Sequence, residues 1–281
     1  MEHPLFTIII PTLNAATTLR RALDSILAQS MSEYEIIIVD SGSTDDTLSI
    51  LTEYKQSIHS VLHAVKAGPY PAMNAGIDKA RGHYVSILNA DDYWLRQDLL
   101  ETIHRAFTDT SRRLAFVHGN IRVLSKDNTS NYRVKPASNL TLFLGMGLPF
   151  CHPATFFLRS TYLLYGSYNW ISFPMQADRC LGFDLQIARA DSLYLNIDMT
   201  AFSTGGVSSH SYSPAESRSI VDRFPIPRRF FAAACGWLTN YEPQFYSGYY
   251  QKSVLSALFL ALRSRFRRIL RSFYPRQHRT A

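Results

Sequence analysis

Hydrophobic positions in the first 120 residues follow two alternating periods. Continuous apolar runs occur at "FTIIIP" (Phe6–Pro11), "YEIIIVD" (Tyr34–Asp40), "SVLHAV" (Ser60–Val65), "HYVSIL" (His83–Leu88) and "LAFVHGN" (Leu114–Asn120). They read as strands buried on both faces. Between them the period changes to that of a helix. Leu19, Ala22, Leu23, Ile26 and Leu27 share one helical face. "STDDTLSILTEY" (Ser43–Tyr54) predicts a helix capped by Ser43 or Thr44, with acids in its first turn. "AMNAGIDKA" (Ala72–Ala80) predicts a short helix ended by Gly82, and "LRQDLLETIHRAF" (Leu95–Phe107) a further one. Strands alternating with helices imply an α/β fold, a mostly parallel sheet with helices on both faces.

Past Asn120 the rhythm breaks. "IRVLS" and "NYRVKP" predict a hairpin around "KDNTS". An aromatic stretch, "GLPFCHPATFFLRSTYLLYGSYNW", follows, then a helix over Asp178–Ala190, and a strand and turn over "LYLNIDMTAFSTGG". From Tyr212 onward the pattern is helical. The expected organisation is a domain over 1–211, in two parts at about 1–120 and about 121–211, with a helical extension over 212–281.

Composition narrows the class. The chain has 281 residues, 46% of them hydrophobic and 18% charged, which suits a large core and excludes global disorder. Its three cysteines are too few and too scattered for a disulfide framework and fit a reducing compartment. The opening segment lacks the features of a secretory signal, and no run reaches the ~20 apolar residues of a spanning helix. The net charge of +7 sits in the tail. Gln251–Ala281 carries one Lys, seven Arg and no acid, so 7 − 8 leaves residues 1–250 at about −1. That distribution argues against a nucleic-acid reader, which more often spreads positive charge over a domain face.

In an open α/β sheet, ligands gather beyond the carboxyl ends of the strands. Three such ends are polar here: "PTLN" (Pro11–Asn14), "DSGSTD" (Asp40–Asp45) and "NADD" (Asn89–Asp92). Two adjacent carboxylates, Asp91 and Asp92, repel one another unless a partner compensates them, and a metal ion is one such partner.

With these motifs, "YPAMNAGIDKARGHYVSILNADDYW", "PFCHPATFF" and "AFSTGGVSS" added, the chain resembles family-2 glycosyltransferases of the GT-A fold over about residues 6 to 209, in the bacterial surface-polysaccharide branch. The resemblance implies transfer of a sugar from a nucleotide-diphosphate donor, with inversion and with a divalent cation, Mg²⁺ or Mn²⁺. It places Asp92 first and Asp91 second as metal ligands, Asp91 alternatively on the donor ribose. It puts Pro11, Thr12 and Asn14 in the nucleoside pocket and Asp40 on the base or ribose. Ser41 stands where many relatives carry a second Asp. Asn74 would face the donor or else be a helix-surface amide. Lys66 would contact phosphate or be solvated, and His152 would touch the diphosphate or acceptor or simply pack.

Inversion needs a general base. Similar proteins keep a carboxylate about 27 residues before "GGVS", and counting back from Gly205 gives Asp178. In "ADRCLGFDLQIAR", Cys180 replaces the family's second acid and Asp184 occupies its Arg position, so Asp184 is the rival base. On a helix the two lie ~120° apart and cannot both face one site squarely.

In the tail, apolar residues from Leu255 to Phe273 form one helical arc and arginines the other. This fits a membrane interface, or an ordinary helix docked on the domain. The overall expectation is a cytoplasmic enzyme, peripheral on the inner face of the cell membrane through residues 252–273. It would act on a glycan or polyprenyl-linked acceptor in surface polysaccharide (O-antigen, capsule or exopolysaccharide) synthesis. The alternatives are a sugar-nucleotide nucleotidyltransferase and a non-catalytic sugar-nucleotide-binding relative. The first calls for a Gly-rich basic loop after the first strand, and "PTLNAATT" has no Gly. A G-x-G-x-x-G after that strand, the mark of a dinucleotide-dependent oxidoreductase, is also absent.

Overall fold

The structure is a computed structural model that describes residues 3–63, 68–124, 131–136, 150–204, 216 and 219. All lie in the first of two compact units, Met1–Arg228; the second, Arg229–Ala281, lies outside the described residues. So do the expected boundary near 211, the hairpin turn, Lys66 and the basic tail.

Among the described residues nine strands form one sheet: β1 (Phe6–Thr12), β2 (Tyr34–Asp40), β3 (Ser60–His63), β4 (Tyr84–Ile87), β5 (Tyr93–Trp94), β6 (Phe116–Leu124), β7 (Asn131–Val134), β8 (Thr155–Leu158) and β9 (Ser192–Ser203). Their order is β3-β2-β1-β4-β8-β6-β9-β5, with β7 paired to β6. The block β3-β2-β1-β4 is parallel, as strand–helix alternation requires. Pairing turns antiparallel at β8, which lies between β4 and β6. β6 and β9 are again parallel. The sheet is therefore mixed.

Among the described residues six α-helices cover it: α1 (Leu19–Leu27), α2 (Thr47–Glu53), α3 (Pro69–Lys79), α4 (Leu99–Thr108), α5 (Arg159–Tyr165) and α6 (Ala177–Ile187). Alternation along β1 divides the core. Phe6, Ile8 and Ile10 pack with Leu23 and Ile26 of α1 and Leu100 and Ile103 of α4. Ile9 points the other way, joining Met73 and Ile77 of α3 and Phe183 of α6. Both faces are thus covered, which explains the uniformly apolar strands.

Several boundaries differ from expectation for local reasons. α2 begins at Thr47 rather than Ser43. Ser43 is turned toward Asp40 and Thr44 toward Asn14, so neither caps the helix. α3 starts earlier, at Pro69, a residue suited to a first helical turn. Gly82 does not act as a helix cap but allows close contact: a Cβ there would lie 2.5 Å from the backbone nitrogen of Thr7. "LAFVHGN" and "IRVLS" merge into the single strand β6, whose register against β9 shifts between His118 and Ile121.

Candidate active site at the carboxyl edge of the sheet

Strand directions alone bring the predicted residues to one edge. β1, β2 and β4 are parallel and end at Thr12, Asp40 and Ile87. β8 runs against β4, with Ser86 opposite Phe156, so the chain just before β8, including His152, lies where β4 ends. β6 runs with β4, and β9 with β6, so β9 also ends there, with Ser203 opposite Leu124. α3 follows β3 and α6 leads back to β9, so both helices start at this edge.

The first two strand ends are laced together. Asp40, 1% exposed, accepts the backbone N–H of Gly42 at 3.0 Å and the Ser43 hydroxyl at 2.5 Å. Ser43 in turn accepts the Asn14 N–H at 2.9 Å, and Asn14 Oδ1 accepts the Thr44 N–H at 2.8 Å. Asn14 takes a left-handed φ of 49°, a conformation Asn tolerates. Ser41 is buried and donates its N–H to the Thr12 carbonyl. Thr12 returns its hydroxyl to the Ile10 carbonyl, while Pro11 is part-exposed in β1. Much of this polar set therefore builds the rim itself.

The acidic pair is asymmetric. Asp92 is fully buried. Its Oδ2 accepts the Asn89 amide at 2.9 Å and its Oδ1 accepts the Ser203 N–H at 2.9 Å. Burial, with the neighbouring charge of Asp91, pushes its carboxyl up to about 8 despite those bonds. Asp91 is part-exposed. Its backbone carbonyl accepts from the Ser203 hydroxyl at 2.6 Å and from the Arg21 guanidinium at 3.0 Å. Arg21 also lies 4.4 Å over the Tyr93 ring, closing the turn. Arg21 and Ser203 carry no sequence signal for this role.

The chemistry of this pair fits a hard cation. Among the described residues no group of three or more His, Cys, Asp or Glu is placed to hold a metal. Mg²⁺ needs only one or two carboxylates when phosphate oxygens complete its shell. The unfavourable charge state of Asp92 beside Asp91 is what such an ion relieves.

Asp178 and His152 are linked through the packed rings of Tyr70 and Tyr168. Asp178, in the first turn of α6, accepts the Tyr70 hydroxyl at 2.6 Å. His152 is buried, its Nε2 2.7 Å from the Tyr168 hydroxyl, and burial lowers its imidazole pKa. Asn74 is engaged with backbone: its amide donates to the Tyr168 carbonyl at 2.9 Å and its Oδ1 accepts the Tyr168 N–H at 3.0 Å. Asp184 lies farther along α6, with the Cys180 thiol 3.7 Å from its Oδ2. Tyr70 and Tyr168 escaped the sequence reading, because an aromatic stretch gives no sign of which hydroxyl is paired.

The sequence profile described as glycosyl transferase family 2 matches residues 7–164. The PGL/p-HBAD biosynthesis glycosyltransferase of Mycobacterium tuberculosis is 32% identical over 237 residues, 82% of this chain and 87% of that protein. Among solved structures, S. aureus TarS 1-349 in complex with UDP-GlcNAc superposes with a TM-score of 0.64 at 17% identity, over 87% of this chain and 74% of that one. The mannosyltransferase PcManGT from Pyrobaculum calidifontis, in complex with GDP-Man and Mn²⁺, gives 0.58 at 18% identity, over 98% and 82%. The two structural likenesses establish the GT-A fold, and the profile and the mycobacterial relative establish the family: this chain is a glycosyltransferase belonging to glycosyl transferase family 2.

Proposed function

We propose that the enzyme transfers a sugar, with inversion, from a nucleotide-diphosphate sugar to a hydroxyl of a glycan or lipid-linked acceptor in the synthesis of a surface polysaccharide or glycolipid. The observation that carries this reading is the convergence of the "PTLN", "DSGS" and "NADD" turns, His152 and Asp178 on one sheet edge. Relatives support the donor class: TarS was solved with UDP-GlcNAc and PcManGT with GDP-Man.

In this reading Pro11, Thr12, Asn14, Asp40 and Ser41 form the nucleoside rim. The resemblance ranks Asp92 first as metal ligand, but in this reading the more exposed Asp91 holds the cation, and Asp92, buried with both oxygens accepting hydrogen bonds, fixes the turn that presents it. A divalent cation bound there neutralises charge developing on the departing diphosphate. Asp178 takes the proton of the acceptor hydroxyl as its oxygen attacks the anomeric carbon. The bond from that carbon to the diphosphate breaks, and the leaving group keeps the electron pair. Asn74 and His152, both engaged by Tyr168, stand behind Asp178. Residues 252–273 rest on the inner membrane surface, near a lipid-linked acceptor. No helix among the described residues is long and apolar enough to cross a membrane.

The test is a panel of nucleotide sugars in thermal melts, with Mn²⁺ or with EDTA, followed by NMR of the product formed from the stabilising donor. One cation-dependent donor and an inverted anomeric configuration are expected. A retained configuration, or binding with no transfer to any acceptor, contradicts the proposal.

A further inference from the structure

Tyr70 bridges α3 and the start of α6. Its hydroxyl gives Asp178 Oδ1 a 2.6 Å hydrogen bond, while Oδ2 accepts none among the described residues. The tyrosine itself is held firmly. It is 8% exposed, and its ring lies 5.5 Å from that of Tyr168, centroid to centroid. Tyr168 is fixed in turn by the two Asn74 bonds to its backbone, by His152, and by the Tyr162 hydroxyl at 3.2 Å. The start of α6 is fixed separately. Glu216 Oε2 accepts the N–H groups of Met175 and Gln176, both at 3.1 Å.

We propose that Tyr70 is the positioning residue of Asp178: it pins Oδ1 and leaves Oδ2 to take the proton of the acceptor hydroxyl. This rests on Asp178 being the base. A lone carboxylate on a first helical turn can rotate; one oxygen held by a buried, packed phenol cannot do so freely. In general, a hydrogen bond donated to a carboxylate oxygen stabilises the ionised form, the one a base needs. The other titratable groups facing Asp178 and Tyr70 are His152, Tyr168 and Glu216. Burial lowers the His152 imidazole pKa, against the opposing pull of the Asp178 charge.

The test follows the Asp178 carboxyl in the full chain labelled with ¹³C-carboxyl aspartate, its signal assigned by loss in Asp178→Asn. In Tyr70→Phe the midpoint is expected to rise by about one pH unit. The acid limb of nucleoside diphosphate release, from the nucleotide sugar that most stabilises the chain, should move with it, and kcat should fall with little change in KM. A fluorinated tyrosine at position 70 keeps the ring's shape and donates more strongly, so the midpoint should fall. An unmoved midpoint in either protein overturns the proposal, and the fluorinated protein decides if Tyr70→Phe does not fold. Failure of the base assignment looks different: Asp178→Asn would then turn over like wild type, whatever the Tyr70 titrations show.

Discussion

Ser203, the last residue of β9, donates its backbone N–H to Asp92 Oδ1 at 2.9 Å, and its hydroxyl bonds to the Asp91 carbonyl. Two motifs 111 residues apart in sequence are thereby one structural unit. The bond divides the acidic pair into a buried carboxylate whose two oxygens both accept hydrogen bonds and a part-exposed one.

That division predicts opposite phenotypes. Asp92→Ala leaves the Ser203 N–H and the Asn89 amide without their acceptor in a buried turn, and should cost about 2–4 kcal/mol of stability. Asp91→Asn should change stability by less than about 0.5 kcal/mol yet weaken Mn²⁺-dependent donor binding at least ~10-fold, about 1.4 kcal/mol. Denaturant titration and donor-binding calorimetry separate the two. A stable Asp92→Ala protein, or full donor affinity in Asp91→Asn, would contradict the division.

His118 supplies a pH prediction. It is 6% exposed on β6, its Nδ1 has no hydrogen-bond partner among the described residues, and burial pushes its imidazole down to about 4. Unfolded, it titrates near ~6.5. Between these values the unfolded chain binds a proton that the folded chain does not, so stability falls as pH drops. The contribution is intact above pH ~6.5 and lost by pH about 4, an effect on the order of 3 kcal/mol. His118→Phe suits the neighbouring Phe116 and Tyr194 rings. Unfolding free energies at the two pH values should therefore fall less steeply in the variant than in wild type.

The opposite end of the sheet carries a structural ion pair. Glu35, 2% exposed, is pushed up by burial, but hydrogen bonds from Thr7, the Arg81 N–H and its guanidinium outweigh this and hold it below the usual carboxylate range. Arg81→Ala removes a half-exposed cation, while Glu35 keeps its bonds from Thr7 and the residue-81 N–H, and should cost about 1–2 kcal/mol. Because this end is remote from the proposed site, kcat of the folded variant should stay near wild type. Parallel melts and rate assays check both halves of the statement.

Much of this architecture was legible in the chain. Runs such as "FTIIIP" and "YEIIIVD" are buried on both faces, and their period identifies them without tertiary information. Polar strand ends after apolar runs also marked the edge on which the parallel strands finish. Long-range pairings were not legible. Glu35 reads as an ordinary strand acid until Arg81 and Thr7 are folded onto it. The resemblance ranks Asp92 ahead of Asp91 as metal ligand, and only the end of β9 shows that both Asp92 oxygens already accept hydrogen bonds. Ser43 fits a helix cap by type, yet Asp40 captures its hydroxyl. In each case a side chain distant in sequence, or a competing local bond, decided the outcome.

The basic tail is tested by deletion. Removing residues 251–281 takes away a charge of +8. If these residues hold the protein on anionic lipid, the deletion should abolish sedimentation with phosphatidylglycerol vesicles at low salt, while donor binding remains. Undiminished sedimentation would refute the assignment.

The central claim is that Asp178 takes the acceptor proton, and single-turnover transfer from the stabilising nucleotide sugar tests it most directly. Wild type, Asp178→Asn and Asp184→Asn should be compared at saturating donor. The account predicts a loss of about 10²–10⁴-fold in Asp178→Asn, with donor affinity retained and Asp184→Asn close to wild type. Near-wild-type turnover in Asp178→Asn, or a collapse confined to Asp184→Asn, would contradict it.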